Sequence, residues 1–217
     1  MSGDFNDIIQ QLSLIALPLL FAITVHEAAH GWAALKLGDD TAYLLGRLTL
    51  NPIKHIDPIG TILLPLFMFF VAGFAFGWAK PVPVNFLRLR RPRRDMALVA
   101  LAGPMANLLM AIFWGIIAKI GIMTVEVYPA TIFLFYTGIY GILINVALMI
   151  LNLLPILPLD GGRIVHGLLP PRLGDSYGEL EPYGLIILVV LLGTGILGKI
   201  IGPGIMLVFE LIKSILV

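Results

Sequence analysis

The chain has 217 residues, 59% hydrophobic and 12% charged, with a mean hydropathy of +0.99; soluble domains carry roughly a quarter charged residues. This balance excludes an ordinary soluble domain, and the net charge of +1 with no cysteine leaves only His and carboxylates to hold any metal. The basic residues Lys80, Arg88, Arg90, Arg91, Arg93 and Arg94 share one short loop, a pattern that sets membrane topology and argues against a nucleic-acid partner.

Apolar segments fall at about 8–35, 59–78, 96–118, 131–159, 184–197 and 201–217, with no internal repeat or linker between them. At about 20 apolar residues per crossing the length allows roughly five or six spans. The expectation is an all-α polytopic membrane protein forming a single membrane-embedded domain over 1–217. The first segment follows Asp4 and Asp7 rather than a basic stretch, so it does not read as a cleavable signal.

That first segment carries His26-Glu27-Ala28-Ala29-His30. Residues four apart project from one helix face, so both imidazoles can reach a single metal ion, with Glu27 close enough to act on water beside it. Three ionisable groups in a spanning helix are costly and point to function.

Residues 41–50, two short β-prone runs around Gly46 closed by Asn51-Pro52, read as a hairpin, one of two short membrane-associated β elements. His55 comes next, either as a gate or accessory metal ligand or as a membrane-surface histidine between Lys54 and Asp57. The segment 59–78 is long enough to cross but is interrupted by Pro65, Gly73 and Gly77.

If 59–78 crosses fully, the Lys and Arg residues divide nine against five. If it dips in and returns, they divide twelve against two, the asymmetry expected of a membrane protein. The re-entrant reading is therefore favoured. It gives five true spans and places the N-terminus outside, with the basic loop and C-terminus in the cytoplasm. Lys80-Pro-Val-Pro-Val84, rich in proline, reads as the second extended element.

A catalytic zinc takes three protein ligands and leaves a fourth position open. The third candidate is Asp160, at the end of an apolar run where Pro155 and Pro158 break the helix and Gly161-Gly162 let the backbone bend. Asp160 can join His26 and His30 only at the same depth, which needs a single full crossing, 96–118, between them. Metal geometry and charge counting thus agree. His166, less than two helical turns further on, reads as a packed or solvated residue.

Three segments together resemble the signatures of the site-2 protease family of intramembrane zinc metalloproteases. These are His26 to His30, Gly103-Pro104-Met105-Ala106-Asn107, and Asn152 to Gly162 with its Asn-Leu-Leu-Pro-Ile-Leu-Pro-Leu-Asp-Gly-Gly run. The resemblance covers about residues 20–165 and is similar to the small prokaryotic members without PDZ or CBS domains.

It implies one Zn2+ held by His26, His30 and Asp160, with Glu27 activating water and Asn152 near the substrate. Gly103, Pro104 and Asn107 would match the family's helix-packing motif. A transmembrane protein or peptide would be the substrate, cut within or near the bilayer of a prokaryotic cell, toward the cytoplasmic side. A structural zinc adaptor and a metal transporter are the competing readings. Glu27 argues against the first and the few polar residues in the other spans against the second. Oligomeric state is not legible.

Overall fold

A computed structural model describes residues 5–72 and 77–217. Gly73, one of the interruptions noted above, lies outside the described residues.

Helix α1 spans Phe5–Leu37, and at 1.5 Å per residue its 33 residues exceed the roughly 20 needed to cross. After it come a single helical turn, α2 (Thr41–Leu44), a tight turn at Pro52–His55, and a wide turn at Pro58–Leu63 that runs into α3 (Leu64–Ala72). Helix α4 (Pro92–Thr124) and helix α5 (Ile132–Asn152) form the centre. Beyond them lie α6 (Asp160–Leu168), α7 (Pro171–Gly178), α8 (Glu181–Gly193) and α9 (Ile196–Leu216).

Three helical stretches are long and apolar enough to cross a membrane: Ile9–Leu37, Pro92–Thr124 and Pro129–Asn152. Helices α7 and α8, bent by 59°, could make a fourth. The expectation of about five spans is not met among the described residues. Helix α8 has 13 residues, and α9 carries Lys199, Glu210 and Lys213 within 21.

Large apolar side chains such as Leu17, Phe21, Leu109, Phe113 and Ile116 stand exposed along α1 and α4. A soluble monomer rarely shows such continuous patches. The chain is an integral membrane protein, and these faces suit lipid.

Helix directions emerge from residue pairs. Ala22 and His26 on α1 meet Asn107 on α4, while His30 meets Val99, so α1 and α4 are antiparallel. A Cβ on Gly138 would strike the Ala118 backbone, and one on Gly141 would strike Trp114, so α5 runs back along α4. Small residues permit this approach, and packing rather than water exclusion holds helices together in lipid. Helices α1 and α5 therefore run parallel, and their C-terminal ends share one side.

Ala111 and Trp114 of α4, Ile142 and Val146 of α5, and Ile212 of α9 form the main buried cluster. Helix α9 passes Ile150 at Gly204 and reaches Gly115 at Leu216, so it is antiparallel to α5. This corrects the charge count, which had directed Lys213 toward the basic-loop side; neighbours in the bundle, not its own charges, aim α9.

The expected hairpin at 41–50 is absent. No strand occurs among the described residues. Buried Asp39 takes the Thr41 N–H and starts a helical turn instead, and Ala42 packs beside Gly31 of α1. Gly46 sits at φ 62°, a left-handed turn conformation, but residues 47–50 are irregular. The stretch 79–84, expected to be the second β element, has no regular secondary structure and pairs with no strand among the described residues.

The two ends of 59–78 lie together: Trp78 N–H donates to Gly60 C=O at 3.0 Å and Trp78 C=O accepts from Thr61 Oγ1 at 2.9 Å. A straight helix would separate residues 18 apart by about 27 Å.

Candidate metal centre

His26 and His30 stand one turn apart on α1, as the spacing requires, and their Nε2 atoms are 3.0 Å apart. Asp160, the first residue of α6, reaches both: Oδ2 is 3.2 Å from His26 Nε2 and Oδ1 is 3.3 Å from His30 Nε2. Donors bound to zinc at about 2.0–2.2 Å in a tetrahedron lie about 3.3–3.6 Å from one another. The three groups thus fit one ion.

The outer sides of the rings strengthen the fit. His26 Nδ1 lies 2.6 Å from Asn107 Oδ1, and His30 Nδ1 lies 2.8 Å from the Val99 carbonyl. Both partners accept, so each Nδ1 carries the proton and each Nε2 turns a lone pair inward. Two facing lone pairs and a carboxylate need a shared cation. Asp160 Oδ2 is buried without a hydrogen-bond partner, as a metal-ligand oxygen would be.

Glycines make the site possible. A Cβ on Gly103 would lie 2.5 Å from His30 Nε2 and 2.6 Å from His26 Cε1, so this residue clears space for the rings. Side chains on Gly161 or Gly162 would strike the backbone of 153–157, which folds over the start of α6 and aims Asp160.

Glu27, next to His26, stands beside the metal ligands in a cavity of about 500 Å³. Its Oε2 accepts the Val82 N–H at 2.8 Å, and Oε1 has no hydrogen-bond partner among the described residues. The irregular stretch 79–84 forms one wall. Asn152 lines the cavity while its Nδ2 donates to Leu148 C=O at 3.0 Å, and Arg163 lines it while paired with Glu181 at 3.0 Å and stacked over Phe86.

His55 is not among the grouped metal-ligating residues. It is buried. Its Nε2 donates to Thr49 C=O and its C=O accepts from Lys80 N–H, which ties two loops together. His166 packs against Gly174 and Gly178 of α7. Asn107, read from the sequence as part of a packing motif, is instead the hydrogen-bond partner of a metal-site histidine. The Val99 carbonyl could not have been found from residue types at all.

A largely buried His-His-Asp cluster beside a glutamate, held between membrane helices, defines the molecule as a membrane-embedded protein with a candidate metal centre. The profile of peptidase family M50 matches residues 119–192, the part that carries Asn152 and Asp160. A Bacillus subtilis protein named "Putative zinc metalloprotease YwhC" is 41% identical over 195 residues, 87% of this chain and 84% of that one. Two proteins named "Putative zinc metalloprotease Rip2" are also similar. That of Mycolicibacterium smegmatis is 31% identical over 182 residues, 83% of this chain and 66% of that one; that of Mycobacterium tuberculosis is 27% identical over 173, 79% and 63%. No solved structure matches. The chain belongs to peptidase family M50, the site-2 protease family.

Proposed function

We propose that the chain is an intramembrane zinc metalloprotease that hydrolyses peptide bonds within or near transmembrane segments of other proteins. The observation that carries this is the convergence of His26, His30 and Asp160 to 3.0–3.3 Å beside Glu27, in a cavity between membrane helices.

His26, His30 and Asp160 would hold the ion, which when bound supplies Lewis acidity that polarises a carbonyl and brings water into its nucleophilic range near neutral pH. Glu27 takes the proton from that water on a carboxylate oxygen and returns it to the leaving amine nitrogen. The Val82 N–H on Oε2 orients the carboxylate and leaves Oε1 for the proton. No fourth His, Cys, Asp or Glu joins the group among the described residues, which suits an open catalytic position and disfavours a closed structural one.

The substrate must unwind to expose its scissile carbonyl. Along this wall the Lys80 and Pro81 carbonyls are taken by Arg47, Lys80 N–H by His55 C=O and Val82 N–H by Glu27. Groups left for pairing with an extended substrate include Val82 C=O and the backbone of Val84. Segment 59–78 dips into the bilayer and returns, with the N-terminus outside and the site toward the cytoplasmic side of a prokaryotic cell membrane. The bonded ends at Gly60 and Trp78 support this reading.

Membrane proteomics on cells carrying wild type or Glu27→Gln tests the function. Transmembrane fragments should accumulate uncut in the variant. Identical fragment profiles would remove the proteolytic reading.

A further inference from the structure

Asn145 lies in the middle of α5, wholly buried, in a stretch whose other residues are apolar. An amide in such surroundings costs free energy unless all its hydrogen-bonding groups are matched. Here they are matched in one direction only. Asn145 Nδ2 donates to Gly141 C=O at 2.9 Å, so its Oδ1 faces α4 and accepts from Asn107 Nδ2 at 3.0 Å. Asn107, equally buried, also donates from Nδ2 to Ala22 C=O on α1 at 3.2 Å. Its Oδ1 is left pointing at His26 Nδ1, 2.6 Å away.

The consequence is a question of protons. An isolated Asn107 could turn its amide over and offer an N–H to His26, which would then carry its own proton on Nε2, the atom facing His30 and Asp160. In this bundle the turned amide would set its oxygen against two acceptors, Ala22 C=O and Asn145 Oδ1, while its nitrogen lost both. The Ala22 contact is the longer of the two. Asn145 therefore supplies the shorter of the two bonds that resist rotation.

We infer that Asn145 is a positioning residue for the metal centre. By fixing the Asn107 amide it holds His26 in the Nδ1–H tautomer and keeps Nε2 free to bind the ion. The chain of bonds runs across α5, α4 and α1, so it also couples helix packing to metal affinity. Ordinary interhelical adhesion by a buried Asn would need no particular polarity, whereas each bond here has a defined donor and acceptor. The inference rests on the reading of the His-His-Asp cluster as a zinc site.

The test uses the purified full chain in lipid nanodiscs, as wild type, Asn145→Leu and Asn145→Asp. Leucine keeps the size and removes both bonds. A buried aspartic acid in its neutral form keeps one acceptor for Asn107 and one donor for Gly141. Zinc affinity is measured by chelator competition, and the protonated nitrogen of His26 by nitrogen NMR on metal-free protein.

Expected are an Nδ1–H His26 in wild type, a mixture of tautomers in Asn145→Leu with about 10- to 100-fold weaker zinc binding, and recovery of most of that loss in Asn145→Asp. Three results would overturn the inference. One is an Nε2–H His26 in wild type. Another is an unchanged tautomer and affinity in Asn145→Leu. The third is equal loss of affinity in both variants with His26 still Nδ1–H, which would leave packing alone. If Asn145→Leu does not fold, Asn145→Ala, which also removes both bonds, takes its place with the same expected and overturning results. A wild type that binds no zinc would defeat the proposed function, while the tautomer measurement would still report on the amide chain.

Discussion

Gly103 on α4 lies against His30 on α1 so closely that a single added carbon would stand 2.5 Å from the metal-binding Nε2. The contact explains why a glycine occupies a helix interior, where it is intrinsically unfavourable. Gly103→Ala should displace the imidazole pair, at a packing cost of about 1–3 kcal/mol, and lower zinc affinity by about tenfold or more. Gly198→Ala, with open space around it, is the control and should bind zinc as wild type does. Isothermal or chelator titration of both variants checks this; equal affinities would mean the rings relax freely.

Glu27→Gln should reduce cleavage of a transmembrane substrate by about 10²- to 10⁴-fold, the usual range for loss of a general base. Zinc content should stay at one ion per chain, because Glu27 is not among the converging ligand atoms. Single-turnover cleavage together with metal analysis decides; a variant cutting at the normal rate would strip Glu27 of its role.

Asp160→Ala removes a donor that reaches both imidazoles. Zinc affinity should fall by more than the about 10- to 100-fold typical of partners one shell further out. Unaltered stoichiometry after dialysis against a weak chelator would show that another group holds the ion.

The topology is open to cysteine labelling, since the chain has no cysteine of its own. Ser2→Cys, ahead of α1, and Arg91→Cys, ahead of α4, should react with impermeant reagent from opposite faces, because on the proposed topology one span and a returning segment separate them. Labelling from the same face would mean that 59–78 crosses after all.

The sequence carried far where chemistry and spacing are local. His26 and His30 are bound to share a face because a helix repeats every 3.6 residues, and Asp160 stands out as a carboxylate among prolines and glycines in an apolar run. The misread parts are those whose conformation depends on partners distant in the chain. Residues 41–50 have strand-forming composition, yet no strand meets them among the described residues; Asp39 starts a single helical turn over 41–44 and 47–50 stay irregular. The direction of α9 is set by Ile150 and Gly115, which charge counting cannot see. Asn145 left a trace, a lone amide in an apolar stretch, but its partner lies 38 residues away.

What the linear order of residues determined is a membrane-embedded chain with two imidazoles and two carboxylates, Glu27 and Asp160, suited to one divalent-ion site, because composition and helical periodicity act within a few turns. What only the tertiary structure decided is the state of those groups. Asn107 and the Val99 carbonyl select the tautomer, Gly103 clears the space, and Val82 holds the Glu27 carboxylate. Each of these contacts joins residues 55 to 81 positions apart or a glycine to a ring on another helix. Such pairings exist only once the antiparallel packing of α1 against α4 has set their register.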